Sequence, residues 1–540
     1  MDEKEVITID SDSDEDQDLC RAIELSLQDQ SMMNDATTDI SLDAQIPRPT
    51  DHATFGGILL NRKEMEDARL NRLGKRCRKS DKSNGDEPAT KRLAPGHSER
   101  TGDSQPRHPQ GIVRRTWSKG YAKTCDDITI EEVFQREDLQ LALLSSFQWD
   151  EEWLLSKLNA NKTRILLLAY ASDEEQKQAM RANVPNNIRF CFPPMCGPGS
   201  MHSKLQLLKY SKYLRLVIPT GNLVPYDWGE TGVMENMVFL IDLPRLEENV
   251  DRTMTVFGEN VAQFLRASGV DEGMVKSLRN YDFSATENLG FVCSIPGGHT
   301  GDALSRVGYC GLGATVTGLG LATDTPVEVD LACASLGSVN SVLVNAMYNA
   351  CQGDDGMQEY NARVGLKLKN KEMRLAERLR DRFRIYFPTD QTVSKSKGGQ
   401  QSAGTICFQA KWWRLSSFPR GLVRDCINTR DGLLMHTKMI LVRRPTGAWS
   451  IANKSSTGWA YIGSANLSES AWGRIVKDRS TGNAKISCRN WECGVIIPVY
   501  GDPGNDGDFT MFSGVVPVPM EVPGRPYGET DEPWFFLGGH

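Results

Sequence analysis

The chain has 540 residues, 39% hydrophobic and 25% charged, enough apolar mass for a large core and for two or three domains, which excludes a wholly disordered or collagen-like chain. Its most apolar run, Ile165 to Tyr170, is far short of the roughly 18 residues a bilayer span needs, and no apolar segment follows the opening Met-Asp-Glu-Lys-Glu. Neither export by a standard signal nor a membrane partner is expected. The net charge of −7 is local: nine acids against Lys4 in residues 1–20 supply −8, leaving +1 for the remainder, so patches rather than the overall balance decide whether a polyanion binds.

Residues 1–110 are rich in Asp, Ser, Lys and Arg and, outside 19–28, show no sustained core pattern. Such a segment cannot bury enough apolar area to offset chain entropy, and a disordered arm is expected. Within it Val6-Ile7-Thr8-Ile9 precedes Asp10, Asp12, Asp14, Glu15 and Asp16, a β-prone tetrapeptide with an acidic tail that resembles a SUMO-interacting motif over 6–16. Over 16–29, Leu19, Ala22, Ile23 and Ser26 fall on one helical face behind an acidic start, similar to a ubiquitin-interacting motif. Ubiquitin and SUMO are therefore expected partners; the alternative is a merely solvated acidic arm. Ser11 and Ser13 sit among acids, where phosphorylation would deepen the charge. Lys75-Arg76-Cys77-Arg78-Lys79 and Lys91-Arg92 read as a bipartite import signal over 75–92, hence the nucleus, with a basic linker as the other reading.

The globular part is expected to begin between 105 and 125. A helix-like stretch, Ile130 to Leu144, leads to Phe147, Trp149 and Trp153, and Arg164 to Ala169 reads as a buried strand. Short apolar strands (Leu214 to Ile218, Met237 to Ile241, Leu289 to Ser294) then alternate with helical stretches (Glu259 to Ala267, Ala334 to Ala350), the texture of an α/β fold. A glycine-rich bend, Thr300 to Gly320, precedes a second run of the same character, and domains are expected over 111–322 and 323–540. The 13 cysteines are scattered without a C-x-x-C pair, which suggests neither a disulfide framework nor structural zinc and points to a reducing compartment.

An internal duplication carries the chemistry. His202-Ser203-Lys204 opens an apolar run, and a following strand ends Thr220-Gly221-Asn222-Leu223; His436-Thr437-Lys438 opens another, and a later strand ends Ser464-Ala465-Asn466-Leu467. On a strand, positions i and i+2 share a face, so each His and Lys would project together, with the Asn of the adjoining strand in reach. A single H-x-K is most simply chance or a surface pair, but two copies in a chain of seven histidines are not. Lysine and amide donors suit the non-bridging oxygens of a phosphate and the added charge of a five-coordinate phosphorus. One neutral imidazole can attack phosphorus and the other can protonate the departing oxygen, then deprotonate a water. That points to phosphoryl transfer without metal or other cofactor. The absence of H-E-x-x-H, of clustered Asp/Glu and of a P-loop counts against metal-assisted hydrolysis and NTP use.

The paired H-x-K sets resemble the phospholipase D superfamily, and their detail resembles its tyrosyl-DNA phosphodiesterase branch. The positions where the lipase branch carries Asp are Lys209 and Arg443. Further matches are Ser145-Ser146-Phe147-Gln148-Trp149-Asp150, Ala465 to Gly473, Asn490-Trp491-Glu492-Cys493-Gly494-Val495, Tyr527-Gly528 and Pro533-Trp534. The resemblance implies two similar α/β/α sandwich domains packed as a pseudo-dimer behind the arm, in a monomer. It implies an enzyme acting on DNA 3′ ends joined to tyrosine, such as a trapped topoisomerase I peptide, and leaving a 3′ phosphate. His202 would be the nucleophile and His436 the general acid and base; Lys204, Lys438, Asn222 and Asn466 would hold the phosphate. Glu492 matches the acid that orients the nucleophile. The family's Gln that orients the second histidine has no match, and Glu235 is the expected substitute, with a solvated helix-end carboxylate as its alternative.

Ser335 and Ser338 resemble a phosphate-contacting loop, and Phe147 falls where the family carries a cleft aromatic, a core role being the alternative. Trp412-Trp413-Arg414, read as a strand, offers one tryptophan for stacking on a nucleic acid and one for the core. Competing functions are another phosphodiesterase or nuclease of the superfamily, and a non-catalytic scaffold reading ubiquitin or SUMO at DNA.

Overall fold

The computed structural model describes the strands Ala53–Phe55 and Ile58–Leu60 and residues 105–536, apart from 183, 248–252, 366–378, 445–457 and 501–508. The motifs at 6–16, 16–29 and 75–92 lie outside the described residues. The two early strands pair antiparallel, Phe55 opposite Ile58, inside the stretch expected to lack structure.

Each half is built on a mixed sheet. The first has eight strands, in the order Asp127–Ile128, Ile112–Thr116, Met237–Pro244, Tyr213–Pro219, Gln206–Lys209, Leu141–Ser145, Arg164–Leu168 and Ile188–Cys191. The second has seven: Gly290–Ser294, Glu492–Val499, Gly458–Gly463, Met439–Arg443, Glu328–Ala332, Phe383–Phe387 and Val423–Asp425. The central strands are covered on both faces and read as near-continuous apolar runs. Tyr213–Pro219 is buried throughout, and its one charge, Arg215, lies opposite Asp242 on the next strand and binds it through Nε at 2.6 Å. In the second half Asp330 receives Arg384 at 2.6 Å and Arg443 at 2.9 Å. Arg443 thus serves the core at the place where the lipase branch carries an acid.

The sheets lie face to face. One core cluster joins Leu216, Ile218 and Phe239 of the first to Leu441, Ile462 and Val495 of the second, while separate clusters fill the outer side of each sheet. Strand Gly290–Ser294 pairs antiparallel with Glu492–Val499, so the chain enters the second sheet before the expected division at 322/323.

Several expected elements change character. Ile130 to Leu144 is a short helix, Ile130–Phe134, and a strand, Leu141–Ser145. Thr129 and Glu132 form a capping box, and Gln135, with φ 41°, ends the helix in the left-handed region. The strand lies between two others, a site where an apolar run does not distinguish helix from strand. The stretch Thr300 to Gly320 is not a bend: it contains the helix Gly308–Gly318, where Gly313 lets the chain pass so close to the Asp354 carbonyl that a Cβ would lie 1.7 Å from its oxygen. Ala334 to Ala350 is helical only over Ser341–Cys351. Trp412 and Trp413 lie in the helix Ala410–Trp413, both buried and packed on Phe408, so neither is a platform for bases. No described helix is long and apolar enough to cross a membrane.

Candidate active site

Both H-x-K sets sit where the two sheets meet, and each borrows backbone from the opposite half. His202 N–H donates to Trp491 O at 3.1 Å, and His436 N–H donates to Glu235 O at 3.0 Å. The second contact continues a parallel pairing of Met234–Glu235 with Leu434–Met435. The first H-x-K precedes its strand, Gln206–Lys209, and the second lies between Leu434–Met435 and Met439–Arg443, because these foreign carbonyls take the histidine N–H groups. Each lysine folds back on its own histidine's carbonyl, Lys204 Nζ at 2.9 Å and Lys438 Nζ at 2.6 Å, and Lys438 Nζ also donates to Thr220 O at 3.3 Å.

His202 Nδ1 meets Glu492 Oε2 at 2.9 Å, as expected. That carboxylate is fixed by Ser464 Oγ and by Asn490 Nδ2 at 3.2 Å. His436 is oriented by a different residue from the one expected. Its Nδ1 meets Asp227 Oδ1 at 3.1 Å, whereas the Glu235 side chain faces Arg430 Nη1 at 2.9 Å. Glu235 is wholly buried and gives His436 only its carbonyl, and burial pushes its carboxyl up to about 7 against the pull of Arg430.

The duplication accounts for the substitution. Ser464 N–H donates to Cys493 O, and its Oγ accepts from the Cys493 N–H and donates to Glu492; Thr220 N–H donates to Met237 O, and its Oγ1 accepts from the Met237 N–H and donates to Asn236 Oδ1 at 2.8 Å. Asn236 therefore stands at the counterpart of Glu492. It cannot supply a charge, but its Nδ2 donates to Asp227 Oδ1 at 3.1 Å, and the Asn222 N–H donates to Asp227 Oδ2 at 2.6 Å. Gly221 allows this closeness: a Cβ there would lie 2.8 Å from the Asn236 amide carbon and 3.0 Å from Asp227. Matching the two copies residue by residue would have revealed an amide where a carboxylate was needed, with Asp227 beside it.

Burial pushes both imidazoles down, His436 to about 4, with Asp227 and Glu492 opposing at their respective rings. Lys438 also acts on His202, and Lys204 on His436, so the two sets share one electrostatic site. Burial brings Lys204 down to about 8 and Lys438 well below the usual range. Burial alone would raise Glu492 and Asp227, yet the facing imidazoles and lysines hold both low. The result is a buried site with neutral rings, depressed ammonium groups and ionised carboxylates, a set of donors suited to an anion.

Asn466 and Asn222 flank this centre. Asn466 Oδ1 accepts from Ala334 N at 3.2 Å and Ser335 N at 3.0 Å; Ser335 and Ser338 are half-buried in that loop. The Phe147 ring lies 5.2 Å from the His202 ring, tilted by 48°, which places it at the cleft and not in the core.

Duplicated His-Lys-Asn sets on face-to-face α/β sheets define a fold and site of the phospholipase D class. The family model described as tyrosyl-DNA phosphodiesterase matches residues 112–528. Tyrosyl-DNA phosphodiesterase 1 of Drosophila melanogaster is 23% identical over 75% of this chain and 70% of its own, and that of Arabidopsis thaliana 23% over 76% and 72%. The crystal structure of the yeast tyrosyl-DNA phosphodiesterase shares the fold, with a TM-score of 0.56 at 19% identity over 79% of this chain and 100% of that one. The chain belongs to the tyrosyl-DNA phosphodiesterase family, and so to the phosphodiesterases of DNA repair.

Proposed function

We propose that this phosphodiesterase cleaves the bond between a tyrosine, as left by a trapped topoisomerase I peptide, and a DNA 3′ phosphate, through a phosphohistidine on His202. The observation that carries the reading is the pair of buried histidine–carboxylate contacts, each joining a histidine of one half to a carboxylate of the other, around two lysines that act on both rings. With Nδ1 of His202 held by Glu492, the Nε2 lone pair attacks phosphorus. The bond to the phenol oxygen breaks, and His436 gives that oxygen its Nε2 proton. His436 then takes a proton from water, the hydroxide attacks phosphorus, and the P–N bond breaks to leave a 3′ phosphate and free His202. Lys204, Lys438, Asn222 and Asn466 hold the non-bridging oxygens.

Before substrate binds, His436 is neutral at neutral pH, and a phosphodiester anion between the lysines offsets their charge and lets the ring take up its proton. A phenol, with pKa near ~10, needs only this one donor. Since one chain supplies both histidines, a monomer suffices. The basic pairs over 75–92 support nuclear residence, and the 6–16 and 16–29 motifs support binding of SUMO and ubiquitin.

The test is cleavage of a 3′-tyrosyl oligonucleotide in EDTA. Tyrosine release with a 3′-phosphate product is expected, no product from His202→Ala, and a covalent DNA adduct from His436→Ala. A metal requirement, or no adduct with either variant, would overturn the assignment.

A further inference from the structure

The two halves hold their asparagines in different ways. In the second, two backbone N–H groups fix Asn466 Oδ1 and turn its Nδ2 away from the loop. The parallel bridges Leu336 to Leu467 and Trp149 to Leu223 make Phe147 and Gln148 the counterparts of Ala334 and Ser335. In the first half, however, the buried Asn222 Oδ1 has no hydrogen-bond partner. The backbone of Asn222 is fixed by Asp227 and by Trp228 Nε1 at 3.0 Å, but its amide is met from the opposite end. Nδ2 donates to Gln148 Oε1 at 3.5 Å, and that same oxygen accepts from the Tyr226 hydroxyl at 2.6 Å. Gln148 and Asn222 are 7% and 2% exposed, so water cannot readily replace these contacts.

We propose that Gln148 and Tyr226 are positioning residues that aim the Asn222 amide at the phosphate. The inference rests on the reading that Asn222 binds a phosphate oxygen. An amide nitrogen carries two hydrogens. Gln148 Oε1 takes one, which fixes the plane of the group and leaves the other for a non-bridging oxygen. The tyrosine hydroxyl sets which end of Gln148 faces Asn222. Without it the glutamine amide can turn and present Nε2, to which Asn222 answers with Oδ1, swinging its own NH2 group out of place. A chain of side chains thus does in the first half what rigid backbone does in the second.

The two non-bridging oxygens are stereochemically distinct, so replacing one with sulfur reports on a single donor. Hydrolysis of a DNA end carrying a 3′-(4-nitrophenyl) phosphate, and of its Rp and Sp phosphorothioates, is measured for wild type, Gln148→Met, Tyr226→Phe, Asn222→Ala and the double variant Asn222→Ala/Gln148→Met. Loss of one aiming hydrogen bond predicts a fall in kcat/KM of about tenfold for Gln148→Met and less for Tyr226→Phe, with a changed Rp/Sp ratio in both. Gln148→Met should cost nothing further once Asn222 is alanine. An unchanged Rp/Sp ratio in both single variants, or an equal loss with and without Asn222, overturns the inference. Full activity of Asn222→Ala would instead remove the reading beneath it.

Discussion

Asp227 lies 209 residues from His436 in sequence and reaches it only because the two sheets close on each other. The H-x-K pairs and their asparagines were legible because each set is local in sequence and repeated. Glu492 was found through a family position, and the same reasoning led to Glu235, one residue from the true counterpart, Asn236. The error is physical: Glu235 points at Arg430, and the carboxylate comes from the turn after Asn222. Because Asp227 raises the proton affinity of His436, Asp227→Asn should lower it. The alkaline limb of kcat/KM should then move to lower pH, with a rate loss on the order of 10²- to 10⁴-fold for removing an orienting carboxylate. The second step needs His436 as base, so the covalent adduct should accumulate; a pH profile and a denaturing gel check both. Gly221→Ala, which would push on Asn236 and Asp227, should depress activity in the same way while leaving adduct formation on His202 detectable.

Among the elements, strands flanked by polar residues were recovered closely: Arg164–Leu168 and Met237–Pro244 differ from expectation only at an end. The failures share a cause, since periodicity does not record what a segment packs against. Leu141–Ser145 is apolar on both faces because Leu143 packs into the core between the sheets and Ala142 and Leu144 into the outer one, and the loop before Ser341–Cys351 is kept out of the helix because it holds Asn466. Arg430 is the element-level tie between the halves. It binds Glu235, Asp127 and Thr116 O beside the pairing of Met234–Glu235 with Leu434–Met435. Arg430→Met should strip the buried Glu235 of its ion-pair contact, while Asp127 keeps Arg115 and Thr124, at a cost of about 3–5 kcal/mol, read as a fall in melting temperature at neutral pH. The folded-state pKa of Glu235, about 7, exceeds its unfolded value, so its protonation stabilises the fold at low pH and that contribution fades as pH rises toward 7. In Glu235→Gln this slope in stability should vanish, as denaturant titrations at pH 5 and pH 8 would show.

For the whole molecule, the central core is shared and not divided. Leu216, Ile218, Leu441 and Ile462 belong to one cluster, so a truncation such as Leu441→Ala should cost about 2–5 kcal/mol and loosen both sheets together. The duplication predicted two similar halves, but no local pattern could say that their inner faces make a single interior. Scanning calorimetry of the variant should show one transition shifted down; two separated transitions would contradict a common core.

The borrowed carbonyls of Trp491 and Glu235 have a last consequence. Neither half can hold its own histidine in place, so a molecule with one half melted has no working remnant, not even for the first chemical step. Heat inactivation should therefore track loss of structure degree for degree, and a ligand that wedges the seam apart would silence the enzyme without ever touching an imidazole.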